Sequence, residues 1–286
     1  MEIFQYDFMV RALIAASIVG LICPLMGMFI VLRKLSLIGD SLSHIALSGI
    51  AASTIFNGNP IIGSLIASSL AAIIIDRLRS SLKEYADLSI AIIMALGVGI
   101  SGILMSASNV NFDLFSFMYG SIATVTKEDI TIIMITAIIV LLFINLFFKE
   151  LVYITFDEES AKLSNIPVKM INIIFMILVA ASITMTLRIV GVLLVSSLIA
   201  IPVATSLRVA KSFRQSIFYS ILFGEISILS GVILSFYMDV APGAIIVIVS
   251  ILQLILVSLY KAKIDKIKVG KVINNWEKVI AASNKF

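Results

Sequence analysis

Asp40 and His44 are the residues of this chain whose types and spacing most directly suggest chemistry. They stand four apart in Gly39-Asp40-Ser41-Leu42-Ser43-His44, and His44 is the only histidine among 286 residues. In a helix, positions i and i+4 share a face with Cβ atoms about 5–6 Å apart, so one cation could touch both. A carboxylate oxygen beside an imidazole nitrogen suits zinc, manganese or ferrous iron and is too nitrogen-rich for a calcium cage. Two ligands hold an ion loosely, which suits conduction. A second reading stays open: Asp40 caps the helix and His44 hydrogen-bonds a neighbouring one. Glu225 is the other candidate. It falls near the midpoint of an apolar run, where an ionised carboxylate is costly. It reads as a third ligand, a proton carrier, or a protonated side chain bonded to a neighbouring helix.

The elements that must position these residues are membrane helices. Apolar residues make up 60% of the chain and charged residues only 13%, and the mean hydropathy is +1.15. That composition excludes an ordinary soluble domain. A membrane helix needs about 20 apolar residues, and on that measure nine spans are expected: 8–32, 38–56, 60–76, 88–107, 128–148, 170–187, 189–207, 216–237 and 243–260. Little more than Arg188 separates the sixth from the seventh, so eight is the alternative. The fold class is therefore an all-α polytopic bundle, with a transmembrane domain over 1–260 and a basic tail over 261–286. The first residues carry Glu2 and Asp7 with no Lys or Arg, unlike a removable signal peptide.

Charge orients the bundle. Eighteen of the 21 Lys and Arg lie after the odd-numbered spans or in the tail; Arg11, Lys127 and Arg188 are the other three. Cytoplasmic connections carry the Lys/Arg excess, so the N-terminus is expected outside and the C-terminus inside. Topology thus accounts for the net charge of +4 without nucleic acid as a partner. The tail places Val269, Val272, Ile273, Trp276, Val279 and Ile280 at helical spacing, as in an amphipathic helix lying on an anionic leaflet.

The connections have distinct characters. Asn57-Gly58-Asn59-Pro60 is a tight turn. Residues 108–127 suggest a short re-entrant or interfacial helix around Phe112–Gly120. Residues 156–169 read as a short cytoplasmic helix. Asp157 is its N-cap, Glu158 and Glu159 favour the positive end of its dipole, Asn165 ends it in the left-handed conformation, and Pro167 stops its continuation.

Other motifs carry little. Gly97-Val98-Gly99-Ile100-Ser101-Gly102 has the spacing of a dinucleotide fingerprint, but no strand precedes it, and close helix packing explains it better. There is no phosphate-binding P-loop, no H-E-x-x-H and no G-x-S-x-G. Cys23 is the single cysteine, so no disulfide can form within one chain; Cys23-Pro24 reads as a kink. Arg188 and Asp239 read as interfacial.

Val31-Leu32-Arg33-Lys34-Leu35-Ser36-Leu37-Ile38-Gly39-Asp40-Ser41-Leu42-Ser43-His44 resembles the V-L-R…S-L-x-G-D-A-L-S-H block of the permeases of ATP-binding-cassette importers for zinc, manganese and iron. Gly191–Thr205 is similar to the family's G-x-L-L-V-x-A-L-L-x-x-P-A-A-T block, and Asp113-Leu114 with Tyr119-Gly120 and Phe156-Asp157 with Ala161 fall at weaker ones. The last block, Asp239-Val240-Ala241-Pro242-Gly243-Ala244, departs from D-x-P-x-G-P by lacking the second proline. The resemblance covers about residues 8 to 255. It implies a permease of the cytoplasmic membrane that is not an enzyme and binds no permanent cofactor. It also implies a dimer, a separate cytoplasmic ATPase and an extracytoplasmic metal-binding protein. Asp40 and His44 would be the metal ligands. Residues 157–167, with Asp157, Glu158, Glu159, Ala161 and Asn165, would be the coupling helix. The substrate would be manganese or zinc, with iron third. The rival is an ion-gradient-driven carrier using Glu225 as a proton relay.

Overall fold

A computed structural model describes residues 5–81, 85–107 and 114–283, and among them every regular element is a helix. In chain order these are α1 (Asp7–Leu32), α2 (Ile38–Ile55), α3 (Pro60–Ser81), α4 (Ala86–Ala107), α5 (Leu114–Tyr119), α6 (Lys127–Leu146), α7 (Phe148–Phe156), α8 (Glu158–Leu163), α9 (Val168–Val190), α10 (Val195–Val209), α11 (Phe213–Met238) and α12 (Pro242–Ser283).

Seven of them are long and apolar enough to cross a membrane: α1, α3, α4, α6, α9, α11 and the Pro242–Lys263 part of α12. The other two expected spans correspond to α2 and α10. α2 carries Asp40, His44 and four serines in 18 residues, which dilutes its apolar character. α10 has only 15 residues, about 22 Å at 1.5 Å per residue, short of a hydrocarbon core of about 30 Å. The break between the sixth and seventh expected spans falls not at Arg188, which remains in α9, but at Gly191, whose φ of 86° and ψ of 160° end that helix. Such a conformation is essentially confined to glycine.

α1 and α9 form the centre. Both are apolar around most of their circumference, and a helix of that kind belongs inside a bundle. Phe29 of α1 meets Phe175 of α9 edge-on at 6.0 Å and Phe213 of α11 at 5.7 Å. α3, α4, α6 and α12 instead expose large apolar side chains such as Ile66, Leu96, Leu142 and Leu256. Hydroxyls buried in this apolar setting bond back to their own helices, as Ser182 does to Leu178 O and Thr205 to Ile201 O, because no water is there to satisfy them.

The bundle has two distinct ends. At one, Val192 N donates to Phe117 O (2.9 Å) and Ser121 N to Arg188 O (3.0 Å). There α5, the 191–194 turn and the start of α12 pack so closely that a side chain at Gly191 or Gly243 would strike backbone carbonyls. The expected short helix in 108–127 is present as α5, while Phe112 and Asp113 lie outside the described residues. At the other end lie the α1–α2 corner, α7, α8 and the start of α9. α12 runs on through the tail as one helix to Ser283; the tail side chains Val269 to Ile280 lie outside those described.

Candidate metal site

α2 begins without a side-chain cap: its N-cap is Leu37, and Asp40 is the third residue of the first turn. The capping role left open for Asp40 is therefore not the one it plays, although a carboxylate in a first turn is favoured by the helix dipole. Among the described residues no hydrogen bond or ion pair occupies either Asp40 or His44, and both are half-buried. His44 accordingly does not tie α2 to a neighbouring helix. The α-helical register puts the two side chains on one face.

Three close approaches set the position of α2. Gly39 lies against Ser196 in the first turn of α10, with room for a Cβ only 3.1 Å from the Ser196 Cα. Gly97 of α4 lies against the backbone of His44 and Ile45, where an added Cβ would be 2.8 Å from Ile45 N. Gly49 and Gly63 face each other where α2 crosses α3. The glycine-rich stretch of α4 lies within one continuous helix, and close packing holds for only one of its three glycines. Gly97 makes the contact, and Gly99 and Gly102 face open space.

Glu225 stands elsewhere. Its carboxylate accepts a long hydrogen bond from Ser17 Oγ (3.4 Å) and lies beside Gly20, between α1 and α11. Among the described residues no three His, Cys, Asp or Glu are grouped to hold a metal ion, so Glu225 does not complete the Asp40–His44 pair within one chain. Cys23 is buried, with its Sγ 3.1 Å from Thr186 Oγ1, and Pro24 lies within α1 against Gly224.

The second candidate site is the α7–α8 segment. Asp157 caps α8 as its sequence indicates, accepting from Ser160 N (2.9 Å) and Ser160 Oγ (2.5 Å). These bonds, the side-chain one foremost, hold its carboxyl below the usual range. Asn165 takes the left-handed conformation at φ 58°. Ala161 is fully buried, while Glu159 and Asn165 are exposed. Glu158 is half-buried and pairs with Lys162 at 2.7 Å.

Three features were not read from the sequence. α7 precedes α8 as a separate helix. Arg188 pairs with buried Asp129 at 3.2 Å; Asp129 also closes a capping box with Thr126, a signal visible in Thr126-x-x-Asp129. Arg33, at the C-cap of α1, donates from Nε to Thr155 Oγ1 (3.1 Å) and from Nη1 to Asn172 Oδ1 (2.9 Å), and its guanidinium lies over the Phe175 ring at 4.9 Å. Burial, followed by nearby Arg79, pushes Arg33 down to about 10, so it stays charged at neutral pH. Nothing in the sequence marked Thr155 or Asn172 as its partners.

Seven long apolar helices in an all-helical bundle define a polytopic membrane protein. The chain belongs to the ABC 3 transport family, whose model matches residues 5–261; it is a permease and not itself an enzyme. It is 33% identical over 261 residues to the high-affinity zinc uptake system membrane protein ZnuB of Haemophilus influenzae, covering 90% of this chain and 98% of that one. It is 30% identical over 250 residues to the manganese transport system membrane protein MntC of Halalkalibacterium halodurans, covering 87% and 86%. The solved structure of PsaBC from Streptococcus pneumoniae in complex with Fab superposes with a TM-score of 0.80 at 31% identity, covering 89% of this chain and 92% of that one.

Proposed function

We propose that the chain is the permease subunit of an ATP-driven importer of a divalent transition metal, manganese first and zinc second, with iron third. The observation that carries this reading is the Asp40–His44 pair: one turn apart on α2, half-buried and without a hydrogen bond among the described residues, in a family whose relatives are named for manganese and zinc transport. One chain offers two ligands, whereas transition-metal sites commonly use four or more. Two copies around a shared axis would offer two carboxylates and two imidazoles, so the working unit is a homodimer with the path between subunits. No permanent cofactor is needed.

The Lys/Arg excess at the α8 end puts that end in the cytoplasm, with the N-terminus outside, in the cytoplasmic membrane. An extracytoplasmic binding protein then docks at the opposite end, over residues 57–60, 108–127 and 238–243. A separate ATPase engages α8 and its flanks, residues 157–167. Phe156 and Leu163, 67% and 86% exposed, supply apolar surface there for a protein partner.

Replacing Asp40 or His44 by Ala should abolish ATP-dependent manganese uptake in proteoliposomes while the ATPase still co-purifies. Normal uptake by both variants would remove the site assignment. Glu225→Gln should retain uptake, since the Glu225 carboxylate lies between α1 and α11, bonded to Ser17 and apart from Asp40 and His44. Uptake that survives ATP depletion and collapses with an ionophore would favour the gradient-driven alternative.

A further inference from the structure

The α1–α2 corner holds a charge that is only partly satisfied. Arg33 uses Nε on Thr155 and Nη1 on Asn172, and its Nη2 is buried with no hydrogen-bond partner among the described residues. A buried donor left unpaired is costly, and more so on a charged group. The arrangement therefore has an acceptor to gain. Two carboxylates lie within electrostatic reach of the guanidinium, Glu158 of α8 and Asp76 of α3, together with the cation Arg79. Glu158 is at present held by Lys162 on its own helix, at a solvent-exposed surface where such a pair contributes little and exchanges easily.

Chain geometry gives the corner its consequence. Thr155 lies two residues before the cap of α8, so one face of Arg33 is fastened to the α7–α8 junction and the other to α9. On the far side, Lys34 at φ 59° and the bond from Leu35 N to Ile30 O (3.0 Å) close a tight turn. α2 follows at once, with Asp40 in its first turn. Arg33 is thus a direct side-chain tie between the segment assigned to the ATPase and the helix that carries the metal ligands.

We propose that Arg33 is the receiver of the coupling movement. It is a positioning residue whose free Nη2 takes the Glu158 carboxylate from Lys162 when α8 is pressed toward the bundle. The new bond draws the 33–37 turn with it and re-aims Asp40 and His44. An exchange between two discrete partners is the kind of bistable contact that transmits a conformational step. The inference rests on the permease reading above.

The test uses the full chain with its ATPase and binding protein in proteoliposomes. Uptake of manganese and hydrolysis of ATP are measured in parallel. Arg33→Lys keeps the charge but loses the planar fork, and Glu158→Gln removes the charge of the incoming acceptor. Each is expected to lower manganese moved per ATP by about fivefold or more, the lower bound of ordinary allosteric coupling, with ATP hydrolysis maintained. The double variant should be no worse than either single one, because both remove the same contact. Additive losses, or non-additivity of Arg33→Lys with Asp76→Asn in place of Glu158→Gln, would overturn the assignment. If Arg33→Lys fails to assemble, an unchanged ratio in Glu158→Gln overturns it alone. Wild-type protein that takes up manganese without ATP sinks the function reading itself; wild-type coupling with intact coupling in the variants sinks only the role of Arg33.

Discussion

Alanine at Gly97 and at Gly99 should have opposite effects, although the substitution and the helix are the same. At Gly97 an added Cβ would sit 2.8 Å from Ile45 N and 3.0 Å from His44 C. Ordinary contact begins near 3.4 Å, so α2 and α4 must part by about 0.6 Å, and backbone atoms cannot rotate away as a side-chain tip can. Overpacking of this kind costs about 1–3 kcal/mol. Gly→Ala in a helix interior returns about 0.5–1 kcal/mol of backbone entropy. At Gly99 and Gly102 nothing lies within 4 Å, so only that gain remains. The helix term cancels between the sites, leaving a difference of about 1–3 kcal/mol. At about 2–4 °C per kcal/mol for a chain near this size, a 2 kcal/mol difference separates the melting midpoints by about 4–8 °C. The assay is thermal unfolding in nanodiscs by circular dichroism at one fixed scan rate, since midpoints of irreversible transitions depend on rate. Manganese uptake should fall for Gly97→Ala, which displaces the backbone of His44, and persist for Gly99→Ala. Equal midpoints for the two variants would refute the α2–α4 contact.

Asp129→Asn should destabilise the protein by about 2–4 kcal/mol, less than the full cost of stranding a buried partner because Arg188 is partly exposed. Adding Arg188→Met should recover part of the loss; a strictly additive double variant in the same melting assay would contradict the pairing. Gly191→Ala should cost about 1–3 kcal/mol from its backbone conformation alone and lower uptake by shifting the start of α10 away from Gly39, both measured as above. Asp157→Asn should preserve the start of α8, since asparagine caps equally well, whereas Asp157→Ala should let it fray, with faster amide exchange at Ser160 as the readout. The Asp157 carboxyl is held below its unfolded value, so its contribution is fully present above the unfolded value of about 3.9 and is lost as pH falls through the lower folded one. Exchange at Ser160 should therefore be flat from pH 5 to 8 once corrected for intrinsic rates, and protection should vanish only in acid.

Much was legible in the chain itself because membranes impose simple rules. Apolar runs long enough to span, the lopsided placement of Lys and Arg, the Asp157 cap and the Asn165–Pro167 stop each follow from local chemistry, and Asp40 and His44 were marked by type and spacing alone. What stayed hidden depended on residues far apart in sequence. No local pattern reveals that α9 continues past Arg188 until Gly191, because the break comes from a backbone conformation pressed against Phe117 and Met118 about 70 positions earlier. Gly97 looked like any small residue until its neighbour proved to be the backbone of His44. The partners of Arg33 are 122 and 139 residues away, and only folding brings them within 3.1 Å. The sequence by itself determined that this is a membrane bundle and singled out Asp40 and His44 as the candidate pair within it. Tertiary packing decided that neither side chain is spent on a hydrogen bond among the described residues, because the helices around α2 approach through glycines and backbone.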